Sequence, residues 1–81
     1  MPKPQDDLWK RVRRILAEHC ENEGMVKQNS STTKDLGLDS VALMDVITRV
    51  EAEFGVVIGG EEIAAGVLET PGRLLEFIQS R

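Results

Sequence analysis

The chain has 81 residues, 41% hydrophobic and 30% charged, with a formal net charge of −4. These values describe one small folded domain and exclude a disordered tail. The single cysteine excludes an internal disulfide, and no apolar run is long enough to span a membrane. Asp6 and Asp7 interrupt any signal-peptide pattern, so a reducing, cytoplasmic setting is expected.

Residues 1–5, with Pro2 and Pro4, read as a loose end to a single domain covering 1–81, ordered from about 6 to 80. A first helix is predicted from Asp6 to about Asn22. Leu8, Val12, Ile15, Leu16 and His19 fall on one stripe at helical spacing, with Lys10, Arg11 and Arg14 opposite. Gly24 offers a stop. Residues 25–39 read as a long connection whose polar run Asn29-Ser30-Ser31-Thr32-Thr33 has no usable period. Loops of this length in small domains are often functional. Met25, Val26, Leu36 and Leu38 are expected to pin it to the core, and a short helical turn within it is allowed.

A second helix is predicted over Ser40–Phe54. Leu43, Val46, Ile47, Val50 and Phe54 share an arc roughly 100° wide, which suits a core-facing stripe. Val41, Met44, Asp45, Thr48 and Arg49 lie outward of it. Ser40 itself reads as the N-cap, worth about 1 kcal/mol. Gly55 suits the helix end. Val56-Val57-Ile58 has no partner strand and reads as a buried connector, and Gly59-Gly60 as a joint. A short helix is expected over Glu61–Ala65, with Gly66 near its end. Thr70 is the expected cap of a last helix, Pro71–Gln79, which buries Leu74, Leu75, Phe77 and Ile78. The fold class is therefore all-α: a small bundle of three main helices plus one short helix, with a long first loop.

Charge is unevenly placed. Residues 1–20 carry five bases against three acids, whereas residues 35–62 carry seven acids against one base, Arg49. The acidic half surrounds Ser40. It attracts basic partner surfaces in a salt-dependent way and repels nucleic acid. Lys10-Arg11-Val12-Arg13-Arg14 reads as a solvated helix face, because no aromatic residue is interleaved. His19 is expected to be half-buried and Cys20 to act as apolar filler; neither has the companions a catalytic or metal site needs.

The run Asp35-Leu36-Gly37-Leu38-Asp39-Ser40 carries the functional signal. A glycine turn lifts a hydroxyl to the start of a helix, where free N–H groups and the dipole favour a phosphate. Together with Phe54-Gly55, Ile58 and Thr70-Pro71-Gly72-Arg73-Leu74-Leu75, this run resembles the acyl carrier protein family, peptidyl and aryl carrier domains included, over about residues 6–80.

The resemblance implies that Ser40 receives 4′-phosphopantetheine from coenzyme A by way of a phosphopantetheinyl transferase. Asp39 would orient the arm or the transferase's metal-bound complex. Val41, Met44, Asp45, Thr48 and Arg49 would face partner enzymes. A stand-alone, monomeric, non-catalytic carrier of acyl, ketide or aminoacyl thioesters follows, served by loading, ketosynthase-type or condensation-type enzymes. Nucleic acid, membrane insertion and a metal site play no part in that expectation. Val41 replaces the family's usual leucine, and Arg49 breaks its acidic stripe. Both departures lean towards a dedicated polyketide, peptide or specialised-lipid pathway, with Arg49 expected to weaken docking onto basic partners by repulsion. The rival reading is a small helical adaptor without a prosthetic group. A serine hydrolase would need a base, and His19 is the lone histidine.

Overall fold

The computed structural model describes residues 4–81, with side chains from Asp7 onward. The described residues form four α-helices and one 3-10 turn, and no strand: α1 (Pro4–Ala17), the turn (Glu23–Met25), α2 (Ser40–Phe54), α3 (Gly60–Ala64) and α4 (Pro71–Gln79). The all-α expectation holds, and α2 and α4 have the bounds their periodicity predicts.

The first helix differs at both ends. It starts at Pro4, so the loose end expected over 1–5 is helical at Pro4 and Gln5. Residues 1–3 lie outside the described residues. Proline suits a helix's first turn, where its missing N–H has no partner to lose. At the other end α1 stops at Ala17, five residues before the expected Asn22. The N–H groups of His19 and Cys20 close short bonds to Leu16 and Ala17 carbonyls (both 3.1 Å), tightening the last turn. Gly24 does not end this helix. Its N–H instead donates to the Asn22 side chain at 2.7 Å, which caps the 3-10 turn. The short helix α3 spans Gly60–Ala64, one residue earlier than expected.

The core is aliphatic and continuous. Val12, Ile15 and Leu16 of α1 join Val46, Ile47 and Val50 of α2 and Leu74, Leu75, Phe77 and Ile78 of α4, closed by Val56, Ile58 and Leu68. Val57, between two buried residues, points outward. Leu43 and Phe54 are only half-buried. The Arg11 guanidinium stands 4.5 Å from the Phe54 ring centroid and pairs with Glu53 at 3.5 Å. The basic face of α1 is therefore partly committed within the domain.

The long loop is fixed by three of its four expected apolar residues and by polar groups besides. Val26, Leu36 and Leu38 are buried in the core, but Met25 is exposed. The buried polar anchors are Ser30 and Thr32. Ser30 Oγ donates to the Met25 carbonyl at 3.0 Å, and Thr32 Oγ1 donates to the Leu68 carbonyl at 2.6 Å. Thr32 N–H donates to Glu69 O at 3.0 Å, and Gly72 N–H donates to Gln28 O at 2.8 Å. The loop is thus clasped to the start of α4, where Thr70 Oγ1 accepts from Arg73 N–H as the predicted cap.

Gly72 has a steric reason to be glycine. A Cβ there would stand 2.8 Å from the Gln28 carbonyl oxygen. Gly72→Ala is expected to cost about 1–3 kcal/mol by forcing the clasp apart. The cost would be read as a lower urea midpoint at unchanged slope. An unchanged midpoint would show that the loop yields freely.

Candidate functional site

Gly37 turns the chain in the left-handed region (φ 68°), with open space where a Cβ would stand. On either side, Leu36 and Leu38 plug into the core. Asp35 Oδ2 accepts from Ser31 N–H at 2.6 Å, and Leu38 N–H reaches Thr32 O at 2.9 Å. The sequence Asp-Leu-Gly-Leu therefore delivers Asp39 and Ser40 to the surface in a fixed place.

Here the structure corrects one reading. The N-cap of α2 is Asp39, whose Oδ1 accepts from Ala42 N–H at 2.8 Å; Ser40 is the first helical residue. Aspartate serves better in this place, because its charge also meets the positive helix end. Ser40 is exposed and free of capping duty. Among the described residues, the N–H groups of Ser40 and Val41 make no hydrogen bond, as first-turn groups do. An outward hydroxyl next to unpaired donors at the start of a fifteen-residue helix suits a phosphodiester.

Around it, Val41 is 78% and Met44 61% exposed, an apolar shoulder beside the hydroxyl. Thr48 is exposed too, its Oγ1 donating to the Met44 carbonyl at 3.0 Å. Asp45 and Arg49 are not free. Asp45 Oδ2 lies 2.9 Å from Nε2 of His19, a nitrogen that makes no hydrogen bond, so the contact is ionic only when the imidazole is charged. Arg49 is held by Glu18 through both terminal nitrogens, Nη2–Oε1 at 2.9 Å and Nη1–Oε2. The Arg49 charge, expected to repel basic partners, is thus paired within the domain.

His19 meets α2 at Asp45, about 7.5 Å of helix rise below Ser40, and so is no base for that serine. Cys20 is half-buried, its Sγ donating to the Leu16 carbonyl at 3.3 Å; burial pushes the thiol pKa up, which keeps it protonated. Among the described residues no three His, Cys, Asp or Glu side chains gather to hold a metal ion. No described helix is long and apolar enough to cross a membrane.

An open cleft of about 540 Å³ has no counterpart in the sequence expectations. Ser31, Thr32, Thr33 and Lys34 of the loop form one wall, and Leu68, Glu69 and Thr70 another. Leu43 and Ile63 close it. Leu43 is three residues after Ser40, so the cleft opens on the serine's side of α2. Its trace in the sequence is the aperiodic polar run 29–33, of which Ser31, Thr32 and Thr33 line it.

Comparison with known proteins adds the following. The family model described as "Phosphopantetheine attachment site" matches residues 10–78. The chain is 36% identical over 75 residues to the non-reducing polyketide synthase Preu3 of Preussia isomera, a match covering 93% of this chain and 3% of the synthase. It is 35% identical over 77 residues to the acyl carrier protein of Treponema pallidum (strain Nichols), covering 94% of this chain and 96% of that protein. The acyl carrier protein of a second strain, of Treponema pallidum subsp. pallidum, matches to the same extent.

Proposed function

The chain belongs to the phosphopantetheine-attachment family of carriers, and we propose that Ser40 is the residue that bears its covalent 4′-phosphopantetheine. As a carrier the protein does no chemistry of its own; the arm's terminal thiol supplies the thioester on which cargo rides. Membership in this family displaces the adaptor reading, which required no prosthetic group.

The single observation that carries the assignment to Ser40 is the division of labour at the start of α2. Asp39 performs the cap, and Ser40 is left exposed beside unpaired N–H groups. In this proposal the Ser40 oxygen attacks the pantetheine-bearing phosphorus of coenzyme A, and the pyrophosphate bond breaks to release 3′,5′-adenosine bisphosphate. The hydroxyl proton passes to a base of the transferase, and the first-turn N–H groups face the resulting phosphodiester. Asp39 keeps the helix start rigid and leaves its second carboxylate oxygen to orient the arm or a transferase's metal complex. Val41, Met44 and Thr48 form the contact shoulder for partner enzymes, and the cleft beside Leu43 receives the arm and the near end of the cargo. Tethering raises the effective concentration of an intermediate at each successive enzyme.

We place the cargo in a dedicated pathway, served by loading enzymes and ketosynthase-type or condensation-type enzymes. Similarity to a segment of a polyketide synthase and the valine at position 41 support this. Arg49 does not, since its charge is paired. The carrier role is tested by incubating the protein with coenzyme A and a broad-specificity phosphopantetheinyl transferase. Intact mass should rise by one phosphopantetheine, and peptide mapping should place the gain on Ser40. No gain with several transferases, or a gain elsewhere, defeats the assignment. The pathway is tested by substituting the loaded protein for the carrier in reconstituted fatty-acid synthesis, where poor elongation is expected.

A further inference from the structure

The turn that follows α1 meets two successive rungs of α2's outward face: His19 at Asp45, and Glu18 at Arg49. The Glu18–Arg49 pair has no evident structural duty. Both side chains are about half exposed, a setting in which ion pairs add little to stability. Glu18 also sits just past the C-terminal end of α1, where the helix dipole disfavours an acid. The value of the pair lies in what it presents to an approaching molecule. Arg49 is the one base within residues 35–62, a stretch with seven acids.

We propose that Glu18 is a recognition residue acting through Arg49: by neutralising that guanidinium it keeps the face beside Ser40 open to a partner enzyme with a basic surface. Resting on the carrier reading above, the proposal assigns part of the docking surface to the tail of α1. An uncompensated Arg49 would repel such a partner within a screening length, about 10 Å at 0.1 M salt. A paired one presents no net charge. Charge complementarity of this kind acts on encounter more than on the step that follows.

The test is transferase loading at low salt, using a phosphopantetheinyl transferase whose carrier-binding face is rich in lysine and arginine. Glu18→Gln should raise KM roughly fivefold with kcat unchanged, and the difference should fade in high salt. Arg49→Gln should load at least as fast as the parent, and the double variant E18Q/R49Q should return to the parent's rate. A merely structural pair would give none of this ordering. Melting temperatures within a few degrees of the parent would confirm that folding is not what changed. KM of Glu18→Gln within twofold of the parent, or a double variant as slow as Glu18→Gln, overturns the proposal. All variants should reach the same final mass; if neither the parent nor any variant gains mass, the Ser40 assignment falls and takes this proposal with it.

Discussion

Ser40→Ala is expected to abolish loading completely while leaving the domain as stable as its parent, within about 0.5 kcal/mol. Complete loss follows from chemistry, since alanine offers no oxygen to esterify. The unchanged stability follows from geometry. Sequence alone makes Ser40 the cap and predicts a cost of about 1 kcal/mol for its removal. With Asp39 Oδ1 holding Ala42 N–H, that cost moves to Asp39→Ala, and alanine at the first helical position is harmless. Intact mass after exhaustive incubation with transferase, alongside urea melts of both variants, separates the two roles. A Ser40→Ala protein that still gains mass would end the assignment. One that loses as much stability as Asp39→Ala would show that the hydroxyl shares the capping.

Leu74→Ala is expected to produce the largest loss of stability. Leu74 is 1% exposed, in the core on the helix that packs against α1. Truncating such a residue costs about 2–5 kcal/mol in lost transfer energy and cavity. A domain this small has a total stability of only about 4–12 kcal/mol. Each kcal/mol moves the melting point of such a domain by about 4–8 °C, so a drop of about 10 °C or more is expected. Phe54→Ala, by contrast, should cost less than its size suggests. The ring is half-buried and covered by the Arg11 guanidinium. If Leu74→Ala melts with the parent, the core assignment is wrong.

How much is legible in sequence tracks the kind of physics involved. The helices α2 and α4 are readable because apolar period and local signals agree there: Gly55, Thr70 and Pro71 each mark a boundary, while the cap of α2 is misplaced by one residue, at Ser40 instead of Asp39. Periodicity over-extends the first helix because His19 continues the stripe. The helix ends where the His19 and Cys20 N–H groups turn to carbonyls three residues back, and the apolar stripe does not register that change. The loop misleads for a related reason. Met25 has the right hydrophobicity to be an anchor, but Ser30 and Thr32 hold the loop by hydrogen bonds to carbonyls outside their own turn, and no local pattern announces such bonds. Ser40 stands out through the residues leading to it, whereas the cleft beside it depends on Ile63 and Leu68, far along the chain.

The pairing of α1 with α4 has a consequence for biosynthesis. The first helix packs against the last. As a nascent chain leaves the ribosome, at about 5–20 residues per second, the stripe of Val12, Ile15 and Leu16 has only α2 to pack against until the residues after Pro71 emerge. The core therefore closes last at α4, and a chain cut short before it would keep part of that apolar stripe exposed instead of making a smaller carrier.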